Sequence, residues 1–538
     1  MTTARELDPK GTSSAGRIIV RATALIVVMG LLSKLTGLVR DTVIAHQFGA
    51  TGLTDAYVVA STIPTLVFSM ITGALAVVVV PVFTAYLAAG EEEKAWRVFA
   101  SVTTWLFLLL AGFTLLGMVF SRLFVHLVAP GFAPATAALA VQLTYIMFPL
   151  LLFTGMSNLF TGLSNANNIF GVPAFAAVAN NLVIIGAALF LAGRFGIRGL
   201  ALGTALAMAA AALVQLPPLF RAGFRFGWSL HFRDPGLVKL VVLMVPVAIG
   251  LSANQAYVVI DRVLASGLNA GSLSALNYAQ KVMLVPVGLF VTALGTAVYP
   301  TITRLAARAR MDELRDTLLR ALRAVFLVIV PSAVVLGVLA RPVVTLLFER
   351  GAFDAHAAVL TATALAFYAV GLAGQAGVVL LTRAFYALED TRTPVYITVA
   401  AVLINLVLSL VLIRPMQLGG LALANSLGAL ANTGLLIWLL DRRVAGLKNA
   451  LLGFLLRVGL AALPMGAVSY AVYGATAALT NGSGLWSAAA GLTLAGVAGL
   501  LVFVLIVRGL GLEEVGLLAA YVRRVPLPAS GLFIRRPR

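Results

Sequence analysis

Apolar residues fall in fourteen long runs along the chain, separated by short polar or basic stretches. They lie at about 18–45, 55–85, 97–120, 137–162, 171–193, 199–219, 237–264, 272–303, 321–346, 356–385, 394–413, 419–440, 451–478 and 484–507. An α-helix needs roughly 20 mostly apolar residues to cross a bilayer, and these runs supply them. Several exceed that length, which implies tilt or continuation into the cytoplasm. The pattern predicts an all-α polytopic membrane protein with about 14 transmembrane helices.

Composition agrees. The 538 residues are 61% hydrophobic and 11% charged, with a mean hydropathy of +1.03. Soluble domains hold about 45–50% apolar and about 25% charged residues. Residues 1–17 form a polar tail of mixed charge, without the short apolar core and small-residue cleavage site of a secretory signal. The first span is therefore expected to stay in the mature protein.

Several chemistries drop out. Cysteine is absent, which excludes disulfides, thiol catalysis and thiolate metal sites. His46, His126, His231 and His356 are scattered without ligand spacing. No Walker motif, dinucleotide fingerprint, metalloprotease helix or nucleophile elbow sits in a suitable context. The chain is accordingly expected to be no enzyme and to need no cofactor. Transport would then draw on an ion gradient, the membrane potential or the substrate's own gradient.

The net charge of +19 raises the question of nucleic acid, and the distribution of basic residues answers it. With the N-terminus inside, Arg122, Arg194, Arg198, Arg341, Arg350 and Arg414 fall in outside loops, and Lys34, Arg40, Arg262 and Lys281 fall within spans. The other 28 of the 38 Lys and Arg residues collect on the inside, many of them in 304–323 and the C-terminal tail. That asymmetry is the positive-inside bias, and it predicts an even number of spans with both termini cytoplasmic. No nucleic-acid partner is expected.

The chain also repeats itself at a shift of about 220 residues. TGALAVVVVP (72–81) matches VTALGTAVYP (291–300), and Gly52 and Gly271 lie the same 29 residues before the prolines that end them. APGFAPATAALA (129–140) echoes ERGAFDAHAAVL (349–360), VANNLVII (178–185) echoes VLINLVLS (402–409), and GLALGTAL (199–206) echoes GLALANSL (420–427). Six spans separate each element from its copy, so both copies keep one orientation. This predicts two parallel-repeat six-helix lobes, 18–220 and 237–440, joined by a cytoplasmic linker at 221–236. Two extra helices at 451–507 and a basic cytoplasmic tail at 508–538 follow. Transporters built this way bind substrate between the lobes and rock them alternately. Channels and scaffolds also arise by duplication, so the repeat alone leaves those open. The tail, with five arginines and three prolines over 511–538, predicts a short interfacial helix and a loose basic end.

Charged residues within spans carry the functional signal, because each costs roughly 2.5–3.5 kcal/mol at a helix centre on insertion scales. The first lobe has Lys34, Arg40, Asp41 and Asp55, and the second has Asp261, Arg262 and Lys281. All lie on the first two helices of their lobe, with Asn254, Gln255, Asn277 and Gln280 on the same pair in the second. Lys34, Gly37 and Asp41 share one helix face, and Arg40 points elsewhere by about 120°. Gly30 and Gly37 permit bending or close approach of another helix. This distribution fits a hydrated cationic cleft between lobes. The competing readings are snorkelling for Arg40, Asp41, Asp261 and Arg262, and for Asp55 a cap on its own span.

These residues carry a resemblance. SKLTGLVRDTVIAHQFGATGLTDAYVVASTIP (33–64), ASGLNAGSLSALNYAQKVMLVPVGLFVTALGTAVYP (265–300) and ERGAFDAHAAVLTATALAFYAVGL (349–372) resemble the MurJ/MviN family of lipid II flippases, in the MOP superfamily with the MATE exporters. The resemblance runs through nearly the whole chain. It implies transfer of lipid II from the cytoplasmic to the periplasmic leaflet of the bacterial inner membrane, for cell wall synthesis, by a monomer among membrane lipids. It implies substrate-binding Lys34, Arg40, Arg262 and Lys281, supported by Ser33, Gly37, Asp41, Asp55, Asp261 and Asn277. The family pattern in span 1 is Ser-Arg-x-x-Gly-x-x-Arg-Asp, which Ser33, Gly37, Arg40 and Asp41 match while Lys34 replaces an arginine. Lys281 also replaces an arginine, Leu284 stands where an acid is common, and LVFSM (66–70) lacks the family's mid-span arginines. Lysine keeps the charge but loses the bidentate fork that suits phosphate. Two other readings stay open: a flippase for another undecaprenyl-linked oligosaccharide, and a MATE-like drug exporter, which a basic cleft argues against.

Overall fold

Long apolar runs leave the backbone no water to bond, so each run must satisfy its own amides, and the helix is how a single segment does this. The computed structural model describes residues 9–224, 255–480 and 484–512, with side chains outside 9–27, 67–82, 87–88 and 92. Every element among them is helical. The chain begins with α1 (Pro9–Phe48), α2 (Gly52–Ala88), α3 (Glu92–Val119), α4 (Ser121–Val128), α5 (Pro134–Met147) and α6 (Pro149–Ala166). Then come α7 (Gly171–Gly186), a π-helical turn (Ala187–Leu191), α8 (Ala192–Phe195), α9 (Ile197–Leu213) and α10 (Leu216–Arg221). From residue 255 follow α11 (Gln255–Ser266), α12 (Ser272–Pro286), a second π-helical turn (Val287–Val291), α13 (Thr292–Ala307), α14 (Met311–Val338) and α15 (Ala340–Phe348). The last are α16 (Ala355–Val370), α17 (Leu372–Ala387), α18 (Arg392–Met416), α19 (Leu418–Asp441), α20 (Leu447–Leu479) and α21 (Leu485–Gly509).

Ten helical stretches among the described residues are long and apolar enough to cross a membrane, eleven if α16 and α17, bent by 46°, form one span. In addition, α1 and α2, 40 and 37 residues long, cover the first two predicted spans. This is compatible with fourteen. Residues 237–254 of the predicted seventh span and the tail from 513 lie outside the described residues.

The boundaries differ most at the ninth span. It was expected over 321–346, but α14 starts at Met311 and ends at Val338, and α15 is a separate short helix. Asp312 and Glu313 in the first turn of α14 favour an early start by facing the positive end of the helix dipole. The first repeat breaks in the same place, between α3 and α4. The GLAL echo has a steric cause. A Cβ on Gly199 would sit 2.5 Å from the Leu191 carbonyl oxygen, and one on Gly420 2.3 Å from that of Leu412. Both hairpins close so tightly that only glycine fits.

By their contacts the described residues group into two compact units. One holds Met1–Val285, Val343–Tyr368 and Val395–Gly428, and the other Pro286–Pro342, Ala369–Pro394 and Ala429–Arg538. Within the first, Phe83, Phe99, Phe160 and Phe224 belong to one buried apolar cluster. Within the second, α20 packs on α14 and α21, and Gly499 of α21 faces Ser469 of α20 closely.

Candidate substrate-binding pocket

The first unit contains a pocket of about 330 Å³ bordered by residues of both repeats. The later half of α1 supplies Arg40 and Asp41, α2 supplies Tyr57, and α12 supplies Asn277, Tyr278 and Lys281. Asp41 is the centre of the charge arrangement, with a side chain only 5% exposed. Its Oδ1 accepts from Lys281 Nζ at 2.8 Å and from Arg40 Nε and Nη2 at 3.1 and 3.0 Å. One carboxylate therefore serves two cations, drawn from the two repeats, and the cluster carries a net charge of +1. Lys281 is 39% exposed and Arg40 23%, so both cations stay partly open to the pocket.

Arg40 is held from a second side, because its Nη1 donates to Asn181 Oδ1 at 3.0 Å. Asn181 Nδ2 in turn donates to the Ser33 carbonyl at 2.9 Å and to Thr36 Oγ1 at 3.1 Å, tying α7 to α1. Gly37 lies on this contact, but a Cβ there would sit 3.5 Å from Asn181 Nδ2, an ordinary packing distance, so the bond does not require glycine. Tyr57 hydroxyl pairs with Thr204 Oγ1 at 2.8 Å on the pocket wall.

The remaining candidates lie apart from this cluster. Lys34 is exposed and makes no ion pair among the described residues, although it precedes Asp41 by one heptad. Arg40, placed by spacing on another face, reaches Asp41 because its flexible side chain folds back along the helix. Asp55 is buried, and it does not cap its own span. Its Oδ2 accepts the Gly271 N–H at 2.6 Å and its Oδ1 the Ser274 N–H at 2.7 Å, so it caps α12 in the other repeat. Gly271, at φ +91°, is pressed against the loop before α2, where a Cβ would meet the Ala50 carbonyl oxygen at 2.2 Å. Arg262 is buried and Asp261 half-buried on α11, and neither borders the pocket. Asn425 Nδ2 lies 3.5 Å from Asp261 Oδ2. Asn254 and the side chains of 67–70 lie outside the described residues.

Sequence reasoning missed Asn181, Tyr57 and Tyr278. A signal for Asn181 existed: it is one of two adjacent asparagines in an apolar span and is copied as Asn405 in the echoing VLINLVLS. No group of three or more metal-ligating side chains occurs among the described residues.

An all-helical chain with a duplicated span pattern, and a charged pocket lined from both repeats, defines a polytopic membrane protein of the transporter type. Its fold matches a solved lipid II flippase MurJ in an inward closed conformation with a TM-score of 0.75 at 22% identity, over 93% of this chain and all of that one. It also matches an inward-facing MATE transporter of the MOP superfamily at 0.67 and 14% identity, over 79% of this chain and 99% of that one. The sequence model of the family described as lipid II flippase MurJ covers residues 44–489. A lipid II flippase MurJ of Burkholderia cenocepacia is 34% identical over 431 residues, 78% of this chain and 84% of that protein. A probable lipid II flippase MurJ of Haemophilus influenzae is 32% identical over 463 residues, 82% of this chain and 90% of that protein. The chain belongs to the MurJ family, a family of transporters rather than of enzymes.

Proposed function

We propose that the protein moves lipid II across the bacterial inner membrane from the cytoplasmic to the periplasmic leaflet, with both termini in the cytoplasm. The observation that carries this reading is the Asp41 carboxylate shared between Arg40 and Lys281 of opposite repeats. The lipid II headgroup is attached through a pyrophosphate, and bringing that anion into a low-dielectric site requires paired cations. Arg40 and Lys281 provide them, and Asp41 holds them when no substrate is present. An entering phosphate competes with Asp41 for both, and its extra charge favours the exchange. Lys34, exposed on α1, extends the cationic path beyond the pocket, while Arg262, buried on α11 and off the pocket, contributes only its positive field. The polyprenyl tail stays in lipid, along a groove at α20 and α21. The lobes 18–220 and 237–440 rock as a monomer, without a catalytic step.

Complementation of a cell depleted of its own lipid II flippase, with lipid II accessibility measured at the outer leaflet, tests this. Restored growth and outer-leaflet lipid II are expected. A chain that reaches the membrane at normal level and restores neither is not a lipid II flippase. One observation favours a second cargo, another undecaprenyl-linked oligosaccharide: LVFSM (66–70) carries no arginine and Lys281 replaces one. Failure with lipid II but success with such a lipid would select it.

A further inference from the structure

A second polar site lies away from the pocket, in the first unit, where α3 gives way to α4. A cleft of about 460 Å³ opens there between the α3–α4 junction, α5 and the start of α9. Arg122 and Arg198 both border it, together with Gln142 and Tyr145 and the apolar Met118 and Val119. Arg198 Nη2 donates to Gln142 Oε1 at 2.7 Å, which fixes that guanidinium in place. No carboxylate borders the cleft, and neither arginine makes an ion pair among the described residues. The neighbouring Val119, Phe120 and Leu123 are exposed large apolar residues, as on a surface covered by lipid chains.

Two guanidinium groups facing one cleft without a counter-charge repel, and an anion between them relieves this. Their planar forks match phosphate oxygens in particular. A tyrosine beside them has an apolar ring and a polar tip, the chemistry favoured at the membrane–water boundary. The loop charges add weight. Arg122 and Arg198 are two of the six basic residues in outside loops, where the positive-inside bias disfavours them, and both border this one cleft. A molecule with a phosphate at one end and acyl chains at the other fits each of these features.

We propose that this cleft binds the phosphate of an anionic glycerophospholipid from the surrounding leaflet, a lipid that is bound and not transported. Arg122 and Arg198 hold the phosphate, Tyr145 marks the boundary, and the acyl chains run along the exposed face at Val119.

The test titrates the purified full chain in detergent with phosphatidylglycerol or phosphatidylcholine and counts retained lipids by native mass spectrometry. Wild type should retain phosphatidylglycerol over phosphatidylcholine by on the order of tenfold. Arg122→Gln with Arg198→Gln should remove most of that preference, and the two lysine substitutions should keep much of it. Arg308→Gln with Arg310→Gln, in the predicted inside loop 304–323, should leave it unchanged. Arg122→Gln alone breaks no hydrogen bond of the cleft, so it decides the matter if the double variant does not fold. Glycerol phosphate should not compete. The proposal is overturned if wild type shows no preference, if Arg122→Gln and the double variant retain it in full, or if glycerol phosphate displaces the lipid.

Discussion

Asp41 shows how much one side chain settles. A single carboxylate, almost fully buried, balances Arg40 and Lys281 at contact distance. Asp41→Asn would leave two cations facing each other. Breaking a buried pair costs about 3–5 kcal/mol, and because both cations are partly exposed we expect about 1–3 kcal/mol here. Thermal unfolding in detergent measures it, and an unchanged melting temperature would show that the pair contributes no stability. Lys281→Ala should abolish flipping while leaving protein level and insertion near normal, and Lys281→Arg should be tolerated. Full complementation by Lys281→Ala would remove the cationic-pocket mechanism. The presence of these charges in apolar spans was legible in the sequence, because charge at that depth is costly and rare. Their pairing was not. Spacing gives the angle of a residue around its helix but not which neighbour lies there, so Lys34 and Asp41 share an angle and differ in surroundings.

At the scale of helices, long apolar runs give their own existence and rough ends, since no other structure satisfies so many amides in lipid. Breaks such as Phe120 and Leu339 were hidden, because the hydropathy continues across them while the backbone does not. Tight hairpins leave a clearer trace. Gly420→Val should prevent α18 and α19 from closing and should sharply lower protein level, since the clash is with a backbone oxygen that cannot rotate away. Gly434→Ala, with open space at its Cβ, serves as the neutral control on α19. Western blots of membrane fractions compare the two. Asp390 begins α18 by accepting the N–H groups of Arg392 and Thr393, and it pairs with Arg443. Partial burial raises its pKa, but the Thr393 bonds and the Arg443 charge outweigh this and hold it below the ordinary 3.8. A depressed folded-state pKa stabilises above the unfolded value and loses that contribution as pH falls through it. Protection from hydrogen exchange at the start of α18, corrected for the intrinsic rate at each pH, should thus fall below about pH 4, and Asp390→Asn should remove that pH dependence.

For the whole molecule, the internal repeat was visible because both copies must solve the same packing problems with the same small residues. The absence of cysteine makes the orientation directly testable. Single cysteines at Ser14 and Ser530 should react with a membrane-impermeant maleimide only after the cells are opened. Asn269→Cys, in a loop the proposed topology places outside, should react in intact cells, and the reverse pattern would invert that topology. One link between the repeats stayed hidden from the sequence. Asp55 bonds backbone amides, and backbone donors leave no mark in the pattern of side chains.

That link has a consequence for ancestry. Aligning Gly52 with Gly271 makes Asp55 and Ser274 counterparts, so the carboxylate caps the helix at the position of its own copy. In a dimer of two identical halves the bond would occur twice, each half capping the other. In this chain the second half holds serine there, and its hydroxyl donates to the Gly271 carbonyl at 3.0 Å. The halves are alike in trace and no longer interchangeable. A protein assembled from two first halves would place two carboxylates at the junction, and one assembled from two second halves would have none.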